Sequence, residues 1–366
     1  MTRPQALPRV AIDARMVGPV LHGVARYISL MAEGLSQVKE LAYEPVFLVE
    51  PGRFEQDFHG FKSVPVGVPY LHPSELWKLP RALKAIGPAL YHSPTFSSLV
   101  TCPCPWIQTV HDLNHLHYGG LKEKLYYRAV LKPFARRARA LLTVSEFSRA
   151  EIAQWIHRAD PIEVVYNALD PAIAVPPEES VVRETLARHG LERGRYFFCL
   201  SNPKPHKNVR LLVEAFEQFG RQGGPSARGW PLVLSMREYG ERPGVKALGG
   251  LPDQDARALL AGAGALVFPS LYEGFGLPPM EAAALGVPVV ASRIEPHREA
   301  LRDLGPHEAL WVEPRDFHGW VNALHRVAKG ELSGPSEATR RRVIDRFSPE
   351  RLGRHMDQIY RRVLAV

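Results

Sequence analysis

The chain has 366 residues, of which 45% are hydrophobic and 23% charged, and this composition indicates a soluble globular protein with two domains. No apolar run approaches the roughly 20 residues that span a bilayer, no apolar signal-peptide core precedes the first predicted strand, and three cysteines make no disulfide framework. A cytoplasmic protein is therefore expected. Its net charge of +8 suits an anionic partner, which is a nucleotide, a nucleic acid or an acidic membrane.

Short apolar runs alternate with amphipathic segments in the first half of the chain, which predicts parallel strands joined by helices. The predicted strands cover residues 10–13, 45–49, 89–93, 106–110, 141–144 and 162–166. A loop that contains Gly18 and Gly23 separates the first strand from an apolar-faced helix, and this order is compatible with an anion site. A plain turn is the alternative, because the loop lacks the Lys-Ser/Thr pair of a P-loop.

Polar side chains follow two further strands of this half. His111 and Asp112 come directly after the strand 106–110, at the carboxyl end where open α/β sheets bind ligands. His111, together with His115 and His117, has an alternative interpretation as a metal site, although no partner carboxylate cluster is evident. Ser145 follows the strand 141–144 and is predicted to cap the next helix.

A basic segment occupies residues 122–139, where only Glu123 opposes seven cations: Lys122, Lys124, Arg128, Lys132, Arg136, Arg137 and Arg139. Aromatic and aliphatic residues are interleaved with them, and Pro133 is predicted to split the segment into two helices. A basic helix of this kind can lie on an anionic membrane surface. A solvated helix face is the alternative, and nucleic acid is the less favoured partner.

The second half repeats the alternation after a linker predicted at residues 171–180. Its strands are predicted at residues 196–200, 231–235, 245–248, 265–268, 287–291 and 310–312. The loop after the first of them holds Lys204, His206 and Lys207, and a lysine there can neutralise a pyrophosphate or be plain surface charge. Ser348 is predicted to cap a last helix with an apolar stripe.

The most informative stretch is the loop that follows the strand 265–268. Two carboxylates, Glu273 and Glu281, flank a turn and the first turn of a helix; between them lie Gly274, Phe275, Gly276 and Leu277. The amides of residues 275–277 at a helix N-terminus suit a phosphate, Glu281 suits a ribose diol and Glu273 a sugar hydroxyl. Each charge-assisted bond contributes roughly 1.5–3 kcal/mol. An ordinary glycine turn with two solvated glutamates is the alternative.

The run E-G-F-G-L-P-P-M-E resembles the E-x7-E motif of retaining glycosyltransferases, most closely those of glycosyltransferase family 4. The resemblance is strongest from residue 265 to 292 and extends over nearly the whole chain. It implies the GT-B fold, an α/β architecture in which two Rossmann-like, doubly wound domains face a central cleft. It also implies an acceptor domain at residues 1–172 plus 347–366, with the C-terminal helix crossing back to it, and a donor domain at 173–346.

Other short motifs extend this resemblance to individual residues of the first half. His111 lies in T-V-H-D-L, which is similar to the family's cleft motif, whose histidine hydrogen-bonds the donor sugar. The segment H-G-V-A-R-Y resembles the family's segment that borders the donor phosphate and the acceptor. The resemblance therefore implies that the loop with Gly18 and Gly23 lies beside these two substrates. Ser145 lies in V-S-E-F-S, whose serine is near the cleft in the family.

The loop with Lys207 resembles the family's donor-phosphate loop but departs from it at one position. Lys207 begins a K-N pair, whose lysine contacts donor phosphate in the family. Many members also have an arginine near the start of this loop, where Asn202 stands here. Lys207 is therefore expected to carry the charge alone or with Lys204 or Arg237.

The resemblance implies an enzyme, a retaining hexosyltransferase that uses a nucleotide-diphosphate sugar and a hydroxyl acceptor, in polysaccharide or glycolipid synthesis. Backbone groups of a turn with Gly250 and Leu251 would hold the base; mannose on guanosine diphosphate is the leading donor, and a UDP-sugar is the other. No metal is expected, because the sequence has no D-x-D motif. A peripheral position on the inner membrane face fits the basic segment. The alternatives are a sugar-nucleotide epimerase and a non-enzymatic nucleic-acid- or lipid-binding protein.

Overall fold

The structure is a computed structural model that describes residues 6–18, 23–52, 57–223, 229–240 and 242–365. The chain divides into two compact units, one formed by Met1–Asp170 with Phe347–Val366 and the other by Pro171–Arg346. The assignment of acceptor and donor roles to these units stays a prediction.

Unit 1 is built on a seven-stranded sheet with the order β3-β2-β1-β4-β5-β6-β7, in which all neighbouring strands are parallel. The strands are β1 (Arg9–Asp13), β2 (Glu44–Val49), β3 (Lys62–Pro65), β4 (Leu90–Ser93), β5 (Trp106–Thr109), β6 (Ala140–Thr143) and β7 (Ile162–Val164). The helices are α1 (Gly23–Ser36), α2 (Glu75–Ile86), α3 (Asn114–His117), α4 (Leu121–Tyr126), α5 (Lys132–Arg137), α6 (Glu146–Ile156) and a C-terminal helix (Pro349–Leu364).

Alternate residues of β1 point into different apolar clusters, so helices cover both faces of this sheet. Val10 and Ile12 belong to one cluster with residues of α1 and the C-terminal helix, whereas Ala11 belongs to another with residues of α2 and α5. The C-terminal helix begins at the predicted cap, where the Ser348 hydroxyl accepts a hydrogen bond from the Arg351 amide. This helix packs on α1, which confirms that the end of the chain returns to the first unit.

Unit 2 is built on a six-stranded parallel sheet with the order β10-β9-β8-β11-β12-β13. The strands are β8 (Phe197–Cys199), β9 (Leu232–Leu234), β10 (Val245–Ala247), β11 (Ala265–Phe268), β12 (Val289–Ser292) and β13 (Ala309–Val312). The helices are α7 (Pro171–Ala174), α8 (Glu179–Arg188), α9 (Val209–Gln222), α10 (Asp253–Gly262), α11 (Leu277–Ala284), α12 (Glu295–Ala300), α13 (Phe317–Ala328) and α14 (Glu337–Arg346). A 3₁₀ turn at Pro205–Lys207 precedes α9.

The prediction that Pro133 divides the basic segment into two separate helices is wrong. Residues 121–137 are helical throughout, because α4 continues into a π-helical turn at Tyr127–Leu131 and then into α5. Pro133 lies in the first turn of α5, and a proline is tolerated where the helical hydrogen-bond pattern already changes. The predicted linker is also partly helical, since it contains α7 and the first residues of α8.

None of the helices in the part of the chain that the structure describes has the length and apolar character needed to cross a bilayer.

Candidate active site

Strand β11 runs directly into the loop with the two glycines, and α11 begins at Leu277. Gly276 has a φ of +99°, a conformation that residues with a Cβ rarely adopt, and this accounts for a glycine at the entry to the helix. Gly274, Phe275 and Gly276 are buried, while Leu277 is half-buried. Pro278 and Pro279 carry no N–H, so the amide that the first turn of α11 can offer to an anion is that of Leu277, next to the backbone of the glycine loop.

The structure brings Lys207 and Glu273 together. The Lys207 Nζ lies 2.6 Å from the Glu273 Oε1, and the two side chains are only 15% and 13% exposed. The same ammonium lies 5.4 Å from the centre of the Phe268 ring. Burial opposes the ionisation of Glu273, but the charge of Lys207, and beside it His297, lowers the pKa of Glu273 below the usual value of a glutamate. The result is a largely buried ion pair beside the start of α11.

Asn208 holds the lysine loop in place. Its φ of +54° is left-handed, a conformation that asparagine tolerates better than most residues, which explains a K-N or K-G pair here. Its side-chain Nδ2 donates to the carbonyl oxygens of Pro269 and Pro314, at 3.2 and 2.8 Å. The carbonyl oxygen of His206 accepts from the Leu271 amide. These bonds fix Lys207 beside the segment that carries Glu273.

Asn202 occupies the position at which many family members have an arginine, and it supplies no positive charge there. Its side chain is exposed, and its Oδ1 accepts a hydrogen bond from the Lys204 amide. Arg237 instead packs against Gly249, because a Cβ at Gly249 would lie 2.2 Å from the Arg237 Cγ. The structure therefore places Arg237 at the glycine turn after β10.

The predicted base and ribose residues lie on separate elements of unit 2. Glu281 is buried within α11, in the second turn of the helix. Gly249 and Gly250 both have a φ of +56°, which bends the chain sharply before α10. Gly250 is exposed and Leu251 is half-buried, so the backbone of this turn is accessible at Gly250.

His297 lies against the glycine loop and was not predicted from the sequence. It lies on α12 with its side chain fully buried, and its Nδ1 is 3.0 Å from the Ser292 carbonyl oxygen. A Cβ at Gly276 would come within 2.7 Å of the His297 Cδ2, so the ring lies directly against the glycine loop. The only sequence signal is its place five residues after the end of β12, near the carboxyl edge of the sheet.

In unit 1, His111 follows β5 and is buried. Its Nε2 donates to the Pro94 carbonyl oxygen at 2.9 Å, so Nδ1 is the acceptor of the neutral ring. Its ring meets the Tyr27 ring edge-on at 5.0 Å, and burial lowers the pKa of His111 to about 4. His111 is therefore an uncharged hydrogen-bonding group at neutral pH.

The other histidines of the metal alternative have separate surroundings. The His115 ring stacks on Phe96 at 5.1 Å, and the His117 Nε2 lies 3.1 Å from the Glu151 Oε1. Among the residues that the structure describes, no group of three or more His, Cys, Asp or Glu side chains could hold a metal ion.

Ser145 is the N-cap of α6, as predicted, because its hydroxyl accepts a hydrogen bond from the Ser148 amide at 3.0 Å. It follows β6, the neighbour of β5, and so lies on the same sheet edge as His111.

Gly18 is buried at the start of the loop between β1 and α1, and Gly23 is exposed at the first position of α1. Residues 19–22 of this loop, including the His22 of H-G-V-A-R-Y, lie outside the described residues.

A buried charge network near the end of β1 was also missed. Arg15 donates to the Asp13 Oδ2 and the Glu75 Oε1, both at 2.6 Å, and all three side chains are buried. The Tyr91 hydroxyl donates to Asp13, and Ser97 hydrogen-bonds to both Arg15 and Glu75. Although burial opposes it, Arg15 lowers the pKa of Asp13, whereas burial raises the pKa of Glu75. This network ties β1 to α2 and β4 just before the loop with Gly18.

Two family profiles together match most of the chain. Residues 182–346 match the profile described as "Glycosyl transferases group 1", and residues 21–173 match the one described as "Glycosyltransferase Family 4". The chain belongs to glycosyltransferase family 4. This confirms the resemblance that the E-x7-E motif indicated.

The curated relatives of this family 4 chain include mannosyltransferases. The O-antigen chain mannosyltransferase B of Escherichia coli is 29% identical over 263 residues, which cover 67% of this chain and 66% of that protein. The MMP alpha-(1->4)-mannosyltransferase of Mycolicibacterium hassiacum is 29% identical over 244 residues, which cover 64% of this chain and 56% of that protein. The matched part is thus less than two thirds of the length of these relatives.

Solved structures confirm the GT-B fold. The sucrose-phosphate synthase of Thermosynechococcus elongatus has a TM-score of 0.74 at 18% identity and covers 98% of this chain and 99% of its own. Anabaena HepE, solved in complex with UDP-glucose, has a TM-score of 0.73 at 15% identity and covers 96% of this chain and 99% of its own. At such low identity these likenesses bear on the fold alone.

Proposed function

We propose that this chain is a retaining glycosyltransferase that moves a sugar from a nucleotide-diphosphate sugar to a hydroxyl acceptor. The observation that carries the proposal is the buried pair of Lys207 and Glu273 beside the start of α11. A cation and a helix N-terminus suit a diphosphate, and a carboxylate next to them suits a sugar hydroxyl. Membership of family 4 supports the same activity.

In the proposed reaction, the acceptor oxygen forms a bond to the anomeric carbon while the bond from that carbon to the diphosphate breaks. Lys207 and the amides of residues 275–277 stabilise the charge that develops on the leaving diphosphate. Glu273 orients the sugar, and the contact of His111 with the sugar stays an expectation from the family resemblance. The acceptor attacks from the face that the diphosphate leaves, so a departing phosphate oxygen takes the acceptor proton and the configuration is retained. These groups supply the positive charge, and no metal takes part in the proposed mechanism.

We propose mannose on guanosine diphosphate as the donor and polysaccharide or glycolipid synthesis as the setting. The names of the relatives support both, since one is an O-antigen chain mannosyltransferase and another an α-(1→4)-mannosyltransferase. Glu281 would bind the ribose, and backbone groups of the turn with Gly250 and Leu251 would bind the base. A UDP-sugar is the alternative donor.

Donor hydrolysis tests this proposal without an identified acceptor. Slow transfer of mannose from GDP-mannose to water, followed by proton NMR before mutarotation, should release the α-anomer first. The Lys207→Met variant should lose this activity, and Lys329→Met, at an exposed lysine just after α13, should keep it. Release of the β-anomer would contradict a retaining mechanism. Conversion to a second nucleotide sugar, with no free sugar, would identify the epimerase alternative.

We also propose that the basic segment lies on an anionic membrane. Its first helix, α4, exposes two leucines one turn apart, with Leu121 84% and Leu125 63% exposed. Lys122 and Arg128 are exposed nearby, and neither makes an ion pair within the described residues. Apolar side chains beside unpaired cations suit the boundary between acyl chains and anionic headgroups better than they suit water.

Vesicle flotation tests the membrane surface. The wild type should float with vesicles of phosphatidylcholine and phosphatidylglycerol, but less in high salt and little with phosphatidylcholine alone. Leu121→Ser with Leu125→Ser should abolish flotation. The control Val175→Ser, at a residue of the other unit that is 64% exposed, should not. Equal flotation of the double variant and the control would refute the surface.

A further inference from the structure

The His297 imidazole has one nitrogen with a partner and one without. Its Nδ1 faces the Ser292 carbonyl oxygen, and a carbonyl only accepts, so Nδ1 carries the proton of the neutral ring. The Nε2 is buried and has no hydrogen-bond partner among the described residues. A buried polar atom without a partner is costly, so a change that gives this nitrogen a partner or a proton would remove that cost.

The ring lies against Gly276, in the loop between β11 and α11. A Cβ at Gly276 would lie 3.2 Å from the His297 Nε2, so the unpartnered nitrogen is next to the backbone of the loop. The centre of the Phe268 ring lies 5.5 Å from that of His297, and the Lys207 ammonium also lies over Phe268. His297 therefore packs against the same elements as the ion pair.

Glu273 has two neighbours that can carry positive charge, Lys207 and His297. Lys207 holds it as an ion pair in the structure. A donor diphosphate bound beside Lys207 would compete with Glu273 for the same ammonium. A buried carboxylate that loses its cation is strongly destabilised, and the remaining neighbour that can become a cation is His297.

We propose that His297 is a reserve counter-ion of Glu273, which takes up a solvent proton at Nε2 when a donor diphosphate draws Lys207 away. This inference rests on the proposed function, which places the diphosphate beside Lys207. The protonated ring would donate from Nδ1 to Ser292 and direct the second N–H at the loop. His297 then acts as a positioning residue, because it keeps Glu273 ionised and in place while Lys207 serves the leaving group.

The charges around the ring agree with this role. Burial lowers the pKa of His297, and the ammonium of Lys207 lowers it further, whereas Glu273 and the Ser292 carbonyl raise it. The ring is therefore neutral while Lys207 is paired with Glu273. Removing the charge of Lys207 removes one lowering contribution and leaves the attraction of Glu273.

An NMR titration of the histidine rings tests the inference without any donor. Lys207→Met should raise the pKa of His297 by about one pH unit or more. Adding Glu273→Gln should cancel the rise, and Lys207→Arg, which keeps the charge, should restore the wild-type value. Lys204→Met is the matched control on the same loop, and His325 is a control ring in the same spectra. An unchanged pKa in Lys207→Met would overturn the inference.

Proton uptake on donor binding tests the coupled step. GDP-mannose, whose phosphates stay ionised near neutral pH, is titrated calorimetrically at pH 7 in two buffers with different ionisation heats. The wild type should take up protons on binding, and His297→Gln should bind with no uptake. Equal uptake by both would overturn the inference. Absence of binding heat would count against the proposed function instead, and the titration of Lys207→Met would still decide the role of His297.

Discussion

The side chains of Lys207 and Glu273 are only 15% and 13% exposed, so each depends on the charge of the other. Lys207→Met should lower the free energy of unfolding, because it removes the counter-ion of Glu273, and the loss should be largest, about 3 kcal/mol, at alkaline pH, where His297 stays neutral. The double variant Lys207→Met/Glu273→Gln should cost less than the sum of the single variants. Urea unfolding measures all three, and strict additivity would show that the two charges do not interact.

The acidity of Glu273 gives this pair a pH dependence with a defined sign. Burial is the largest influence and opposes ionisation, but the charges of Lys207 and His297 and the hydrogen bonds to the carboxylate together outweigh it, so the pKa of Glu273 is lowered. A carboxyl group with a lower pKa in the folded chain stabilises the fold above its unfolded pKa, and this stabilisation is lost as the pH falls through the folded value. The stability gap between wild type and Glu273→Gln should therefore be full above about pH 5 and shrink below about pH 4. Urea unfolding at several pH values measures this gap. A gap that stays constant with pH would contradict the assignment to Glu273.

At the scale of elements, α1 and the C-terminal helix meet at two glycines. A Cβ at Gly34 would lie 1.9 Å from the Pro349 carbonyl oxygen, and one at Gly353 would lie 2.0 Å from the Gly34 carbonyl carbon. Gly34→Ala should cost about 3 kcal/mol or more, since backbone must move to admit the methyl group.

Gly220 is the matched control for this crossing. Like Gly34, it is the third residue from the end of a 14-residue helix, but a Cβ there would meet nothing within 4 Å. Gly220→Ala should stabilise the protein by about 0.5–1 kcal/mol, because alanine is the better helix former. The midpoint temperature of thermal unfolding should fall below that of the wild type for Gly34→Ala and rise above it for Gly220→Ala. Shifts of the same sign would contradict the packing account.

The sequence predicted those elements whose signal is local. The buried strands are apolar runs, and the motif between Glu273 and Glu281 lies within nine residues, so both could be predicted. The edge strand β3 is largely exposed and carries no apolar run, and it was missed. The π turn before α5 was missed because the hydrogen-bond pattern of a helix is not encoded in its charge pattern.

Residues that depend on distant partners were beyond prediction. Glu75 lies 60 residues from Arg15 and is identified as its partner only by the fold. His297 lies 24 residues after Glu273, in a segment without a charge or glycine motif that points to a ligand. The importance of Asn208 is clear only from its two carbonyl partners and its left-handed backbone.

At the scale of the whole molecule, two parallel sheets each carry residues predicted for the reaction at the ends of their strands. Unit 2 holds the ion pair, the start of α11 and Glu281, and unit 1 holds His111 and Ser145. The central claim is that unit 2 binds the donor, with the diphosphate at the helix start and the ribose at Glu281.

Calorimetric titration of wild type and Glu281→Gln with GDP-mannose and UDP-glucose tests this claim most directly. One nucleotide sugar should bind the wild type with saturable heat, and Glu281→Gln should weaken that binding at least tenfold, which corresponds to about 1.4 kcal/mol. Glu299→Gln, at a half-exposed glutamate of α12, is the control and should bind as the wild type does. No binding of either donor, or equal affinity of Glu281→Gln and the wild type, would contradict the claim.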